Sequence, residues 1–419
     1  MDRTIELNRY DVVGSLSRAL DLSGSYGRNE YMHHGRRVAY SAARIGEQLG
    51  LKPDQLDRLA LAGLMHDCGV ASDRSRRAIL ALDRSHTEEH CIRGARLLER
   101  ASALADLAPI VRSHHDHFGR DNVSGLTGTT IPLESRILVV ADRVDVLLDA
   151  AESPLEHRAD LIARMTERRG ELFDPEIVDA WLPLAHQEAY WFELFDGSDY
   201  FLKQQRNQPS VIISLDQVEE LATIFGAIVD AKSPLTQVHS TGVASMAAEL
   251  ARRLGETPRT AKLAHIAGYL HDLGKLGVAD ELLEKPNALS HDEFDLIKRH
   301  SYETYRIIAS IRGLEDVAKW AAHHHERIDG TGYPFRLRGA QLPLLSRAMC
   351  VADVFQALNQ DRPYRPALAR ADVIRLMREM VRDRALDAAI AELVIADYDT
   401  FHQLAARSSV SNAAFAEPL

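Results

Sequence analysis

Apolar and polar residues interleave in steps of three and four along much of the chain. His34, Val38, Ala42, Ile45 and Leu49 recur at that spacing, and so do His239, Val243, Met246, Leu250 and Leu254. Such a stripe forms one face of an α-helix. Gly50 and Gly255 follow the two runs, where a helix commonly ends on a left-handed residue. Period-two alternation is scarce, and VIISL (211–215) is a short β-rich run between the two similar stretches. The pattern predicts an all-α protein in which a histidine opens the apolar face of two separate helices.

Those two helices belong to a larger internal repeat. LAGLMHDCGV (61–70) resembles IAGYLHDLGK (266–275), VRSHHDH (111–117) resembles AAHHHER (321–327), and ILVVADRVDVLL (137–148) resembles AMCVADVFQALN (348–359). FDPEIVDAWL (173–182) has a weaker echo in LDAAIAELVI (386–395). The offsets barely drift: His34 to His239 and His66 to His271 are 205 residues, His90 to His300 and His114 to His324 are 210, and Asp142 to Asp353 is 211. Titratable residues keep step while their neighbours differ. This predicts two tandem copies of one helical module, 1–205 and 206–419. Segment 183–210 reads as a last helix followed by a linker, with Pro209 near the boundary.

Composition narrows the function. The 419 residues are 46% hydrophobic and 26% charged, as in a well-packed globular chain of two domains. The net charge of −11 disfavours long nucleic acid and anionic membranes as partners. No stretch is apolar enough for a membrane span. Cys68, Cys91 and Cys350 are too few and too scattered for a disulfide framework or a CxxC zinc site, and a reducing cytoplasm is the expected location. Small anionic ligands stay open, given a metal to receive them, and so does a homodimer.

The 19 histidines carry the chemistry. In the second copy His239, His271, Asp272, His300, His324, His325 and Asp353 fall on the apolar faces or ends of successive predicted helices. Burying so many polar groups is costly unless each finds a partner. Imidazole and carboxylate without thiolate suit iron, manganese or zinc, and a carboxylate between two imidazole clusters can bridge a metal pair that acts on a phosphodiester. A lone buried histidine is more often a hydrogen-bonded core residue, but seven such residues repeated in order are not explained by packing.

The order His, His-Asp, His, His-His, Asp resembles the HD superfamily of metal-dependent phosphohydrolases. HDLGK (271–275), KPNALS (285–290), HHERIDGTGYP (324–334), ADVFQAL (352–358) and RPYR (362–365) look like its HD-GYP subgroup, which hydrolyses cyclic dinucleotide second messengers in bacteria, chiefly cyclic di-GMP. The resemblance implies two tandem HD-type helical bundles, the first degenerate and the second an HD-GYP phosphodiesterase. It implies one metal on His239, His271, Asp272 and Asp353, a second on His300, His324 and His325, and Asp272 bridging; iron or manganese is the expected pair. Asp272 and Lys275 would be catalytic. Lys275, Tyr333, Arg362 and Arg365 would bind substrate. A third-metal glutamate of some members is replaced by Leu235, and the usual acidic residue after the last metal aspartate is Gln356. The implied activity is hydrolysis of cyclic di-GMP to linear pGpG and/or GMP; hydrolysis of 3′,3′-cyclic GMP-AMP and non-hydrolysing reception of a cyclic dinucleotide are the alternatives.

The first copy keeps Glu30, His34, His66, Asp67, His90, His114, His115 and Asp142, a candidate second metal site. Its lysine position is Val70, its loop reads HFGRDNVSGLTG, and nothing like RPYR follows Asp142. A metal cradle without phosphate-reading parts suggests a regulatory or dimer-forming module that still binds metal. A separate phosphohydrolase and an empty relic are the other readings.

Overall fold

The computed structural model describes residues 7–22, 33–70, 72, 84–122, 124–148, 155–195, 211–232, 239–361 and 366–411. Among them are nineteen α-helices and two strands of two residues each, Leu7–Asn8 and Ile212–Ile213. The protein is all-α. By contact the chain forms two compact units, Asn8–Ile213 and Ser214–Leu419 with Met1–Leu7. The expected division after residue 205 lies outside the described residues, as does the linker beyond the helix Glu188–Phe195.

Each unit is built on a pair of crossed helices. In the N-terminal unit His34–Gln48 packs on Pro53–Met65; in the C-terminal unit His239–Arg253 packs on Pro258–Leu270. The apolar stripes read from the sequence are the packed faces, since Val38, Ala42, Ile45, Val243, Met246 and Leu250 are fully buried. Both leading helices stop as their glycines require: Gly50 has φ +72° and Gly255 φ +83°. Leu51 N–H donates to Gly46 O and Glu256 N–H to Ala251 O, the six-to-one bond of a Schellman cap.

Two glycines per unit set how closely these helices approach. A Cβ on Gly63 would lie 2.7 Å from Ala39 Cα, and one on Gly268 would lie 2.3 Å from Ala244 Cα. A Cβ on Gly69 would meet His90 O at 2.0 Å, and one on Gly274 would meet His300 O at 2.0 Å. The first contact seats the second helix against the first, so that histidines at an N-terminus and a C-terminus adjoin. The second draws the His90 and His300 helices (Arg84–Leu98 and His291–Ala309) onto the turn after the His-Asp pair. In the C-terminal unit Thr304 fastens this turn: Gly274 N–H donates to Thr304 Oγ1 at 2.9 Å, and Thr304 Oγ1 donates to His271 O at 3.2 Å.

A buried aspartate on the preceding helix holds the start of each leading helix. Asp21 on Arg9–Leu22 accepts from Gly35 N–H at 2.8 Å, and Asp230 on Leu215–Lys232 accepts from Ser240 Oγ at 2.7 Å and Ser240 N–H at 3.2 Å. A carboxylate there satisfies an amide that no helical carbonyl reaches.

Gly274→Ala has no room to relax without moving the His300 backbone. Overpacking of this kind costs about 1–3 kcal/mol. Equilibrium denaturation is expected to show that loss for Gly274→Ala, with metal content falling in the same protein.

Candidate metal centres

In the C-terminal unit six positions on five helices or their ends converge with one bridging aspartate. His239 opens its helix, His271 caps Pro258–Leu270 with Asp272 next, His300 is mid-way along His291–Ala309, His324 and His325 follow Glu315–Ala322, and Asp353 lies within Leu344–Asn359. His239 Nε2 is 3.2 Å from His271 Nε2 and 3.0 Å from Asp353 Oδ1. His300 Nε2 is 3.2 Å from His324 Nε2, and donor atoms of His300, His324 and His325 lie within 4.8 Å of one another.

The other ring nitrogens reveal what these short distances mean. Nδ1 of His271, His324 and His300 faces the carbonyl of Gly268, Ala321 and Ile297 at 2.7, 2.7 and 2.5 Å. A carbonyl only accepts, so the ring hydrogen sits on Nδ1 and a neutral ring has a bare lone pair on Nε2. Burial pushes His300 down to about 3 despite the nearby Asp272 charge, with His324 adding to the shift. Burial with the neighbouring imidazoles His324 and His300 also holds His325 well below its ordinary value. Neutral rings aimed lone pair to lone pair repel unless a cation lies between them.

Asp272 stands between the two pairs. Its Oδ2 is 3.2 Å from His271 Nε2, whereas its Oδ1 is 3.5 Å from both His300 Nε2 and His324 Nε2. Oδ1 is buried and has no hydrogen bond among the described residues. Burial would raise this carboxyl, but the adjoining His271 ring and the Lys275 ammonium hold it well below the usual range. The donor set fits two divalent cations: His239, His271, Asp272 and Asp353 could hold one, and His300, His324 and His325 the other, with one Asp272 oxygen facing each.

Side chains from neighbouring segments surround this cluster. Lys275 Nζ donates to Asp272 Oδ2 at 2.5 Å. Tyr333 lies with its ring 4.8 Å from His325, and Phe294 meets it edge-on at 5.8 Å. Buried Glu326, next in chain to His325, accepts from the N–H groups of Phe335, Arg336 and Leu337 at 2.6, 3.1 and 3.0 Å. The loop is thereby wrapped around one carboxylate. His323 turns away to Ser346 Oγ at 3.0 Å. Arg362, Arg365 and Leu235 lie outside the described residues.

The N-terminal unit reproduces the cradle. His34 Nε2–His66 Nε2 and His90 Nε2–His114 Nε2 are both 3.2 Å, with Nδ1 of His66 and His114 on the Gly63 and Val111 carbonyls at 2.7 Å. Asp67 Oδ1 lies 3.5 Å from His66 Nε2 and 3.6 Å from His90 Nε2, and Asp142 Oδ1 lies 3.5 Å from His34 Nε2. Asp142 Oδ2 is 3.9 Å from His115 Nδ1. Glu30 lies outside the described residues. Val70, at the Lys275 position, is buried.

Sequence reasoning missed the residues that steer the first histidine of each unit. His34 Nδ1 is 2.6 Å from Asp145 Oδ2, and Arg37 Nε donates to Asp145 Oδ1 at 2.5 Å. Burial works against ionisation of His34, but the Asp145 bond and charge prevail and raise its pKa. In the other unit Gln356 takes the place of Asp145 and packs over Gly242, so His239 Nδ1 faces the amide oxygen of Gln360 at 3.3 Å instead. The missing signal was the triplet step from Asp142 to Asp145, visible in the sequence but read only in the second copy, where Gln356 departs from the pattern.

A family model described as "HD domain" matches twice, at residues 26–177 and 223–390. The chain belongs to the HD domain family. Among similar HD proteins is the 3′3′-cGAMP-specific phosphodiesterase 1 of Vibrio cholerae, 30% identical over 406 residues, 94% of this chain and 93% of that one. A cyclic di-GMP phosphodiesterase of Pseudomonas aeruginosa is 42% identical over 145 residues, 34% of this chain and 35% of its own. The crystal structure of a cyclic GMP-AMP specific phosphodiesterase of V. cholerae has the same HD fold, with TM-score 0.66 at 24% identity over 96% of this chain and 98% of that one. Among the described residues no helix is long and apolar enough to cross a membrane.

Chelation should destabilise a core whose imidazole pairs face each other. An ion at a hundred times its dissociation constant stabilises by about 2.7 kcal/mol. Calorimetry with and without chelator is expected to show a loss of that order, reduced for the transition of the C-terminal unit in His271→Ala/Asp272→Ala.

Proposed function

We propose that this protein is a metal-dependent phosphodiesterase that opens 3′,3′-cyclic GMP-AMP, with the reaction in the C-terminal unit. The observation carrying this reading is the placement of Lys275 and the Tyr333 loop directly against the Asp272 cluster. The substrate choice rests on coverage. The relative named for 3′3′-cGAMP aligns along 94% of this chain, whereas those named for cyclic di-GMP in P. aeruginosa and Thermotoga maritima align along 34% and 36%. That favours 3′,3′-cyclic GMP-AMP over cyclic di-GMP.

Bound divalent ions, iron or manganese in this nitrogen–oxygen donor set, would supply Lewis acidity to the phosphoryl oxygens and acidify water. The chain does the rest. Water adds to phosphorus and the bond to the 3′-oxygen breaks, leaving a linear dinucleotide with a 5′-phosphate and a free 3′-hydroxyl. Asp272 fixes the spacing of the two histidine clusters. Lys275 can turn its ammonium from Asp272 to a non-bridging oxygen as charge develops there. Tyr333 stays protonated, since burial and the Asp353 and Asp272 charges raise its pKa, and offers a ring and a hydroxyl donor to the nucleotide. Arg362 and Arg365 would take the second phosphate. The N-terminal unit, with Val70 in place of lysine, would be a metal-holding regulatory module.

The test is turnover of both cyclic dinucleotides by the full chain loaded anaerobically with iron or manganese, products being resolved by chromatography. We expect kcat/KM for 3′,3′-cyclic GMP-AMP to exceed that for cyclic di-GMP at least about tenfold, roughly 1.4 kcal/mol of discrimination. Activity should vanish in His271→Ala/Asp272→Ala and survive in His66→Ala/Asp67→Ala. Equal or better use of cyclic di-GMP would reverse the substrate assignment. No product from either, with metal bound, would leave a receptor. Separately, Glu326→Ala is expected to raise KM roughly tenfold or more while metal content, read by elemental analysis, stays near two ions per C-terminal unit, because the loop loses its anchor and the donors do not.

A further inference from the structure

The two cradles differ by one atom that no donor pattern from the family assigns. Cys91 follows His90 just as Ser301 follows His300, at the same offset of 210. Ser301 Oγ lies 3.1 Å from His300 Nε2. Cys91 Sγ lies 3.8 Å from His90 Nε2, the nitrogen that also faces His114 Nε2, and the residue is 3% exposed. Its 3.4 Å contact with His114 is to Nδ1, which carries the hydrogen given to the Val111 carbonyl. One donor atom from each of His90, Cys91, His114 and His115 falls within 4.8 Å of the others. An ion bound by sulfur at about 2.3 Å and by imidazole at about 2.05 Å would separate those atoms by about 3.6 Å at a tetrahedral angle. The spacing of Cys91 Sγ from His90 Nε2 is close to that.

The other cysteines show the alternative, a thiol that merely packs. Cys68 Sγ points to Gly94 O at 3.7 Å, and Cys350 Sγ to His323 O at 3.2 Å. Both are buried with backbone carbonyls as acceptors, as a small core residue with a weak donor would be. Cys91 instead faces the donor nitrogen of His90 within a converging cluster.

We propose that Cys91 is a thiolate ligand of the ion held by His90, His114 and His115, which makes this subsite a nitrogen–sulfur site selective for zinc over manganese. The proposal rests on reading the N-terminal unit as a metal binder. Thiolate is a softer donor than the oxygens of the C-terminal unit, and softness separates zinc from manganese. As the sulfur–metal bond forms, the thiol proton leaves to solvent. One chain would then carry two kinds of centre, a nitrogen–oxygen pair suited to turnover and one with a sulfur arm that holds its ion more tightly.

The experiment uses the full chain, stripped of metal and titrated anaerobically with cobalt(II), in four forms: parent, Cys91→Ser, His271→Ala/Asp272→Ala and His90→Ala/His114→Ala. Serine is what the other unit carries at this place, so Cys91→Ser should fold, and far-ultraviolet circular dichroism checks it. The expected result is a near-ultraviolet thiolate-to-cobalt charge-transfer band in the parent and in His271→Ala/Asp272→Ala. Cys91→Ser should lose the band with cobalt still bound, and its preference for zinc over manganese should fall at least about tenfold, roughly 1.4 kcal/mol. Cobalt bound at this subsite without the band, or a band that survives Cys91→Ser, would overturn the thiolate ligand and leave the metal reading intact. Cobalt stoichiometry unchanged by His90→Ala/His114→Ala would overturn the metal reading of this subsite, and the proposal with it.

Discussion

Four pairs of imidazoles, each with Nε2 atoms 3.2 Å apart, govern this structure. In five of these eight rings a hydrogen parked on a backbone carbonyl leaves the facing nitrogen bare. Such an arrangement is unfavourable in a metal-free core and favourable around a cation. The rest of each unit serves to keep these rings in place. Glycines let the backbones close in, buried aspartates seat the leading helices, and a single carboxylate, Asp272 or Asp67, stands between the paired rings.

The two units share a frame of donors that could hold metal and differ in the side chains around it. Both keep the paired rings, the bridging aspartate and the closing aspartate on a late helix. Around that shared frame the side chains diverge: Lys275 against Val70, Ser301 against Cys91, Gln356 against Asp145. The C-terminal changes add a positive charge beside Asp272 and leave His239 with a neutral partner. The N-terminal changes add an Arg37–Asp145 pair behind His34 and bring a thiol to His90. The same core thus sets a lysine beside the central carboxylate in one copy and buttresses the first histidine with an ion pair in the other.

Much of this was legible in the sequence, for a physical reason. Metal donors must recur at fixed places on helices, so His34 and His239, or His90 and His300, keep a constant offset when the residues between them drift. The helical stripes and their glycine stops followed from periodicity alone. What escaped were contacts whose partners are distant in the chain and chemically ordinary. Asp230 capping the Ser240 amide, Thr304 clasping the turn after His271, and Gln360 facing His239 look like any other polar residues until the helices are packed. The glycine of the His-Asp turn was visible, but the carbonyl it makes room for was not. Cys91 was dismissed with the other cysteines because no second thiol stands near it, and its imidazole neighbours come from a separate segment.

The anchoring of the Tyr333 loop by Glu326 joins two functions that are often independent. Glu326 is covalently next to His325 and grips three successive amides of the loop. Any displacement of that loop is thereby transmitted to the peptide that carries His325. The position of the loop and the placement of the His325 ring therefore share one lever, and Glu326 is the residue that couples them.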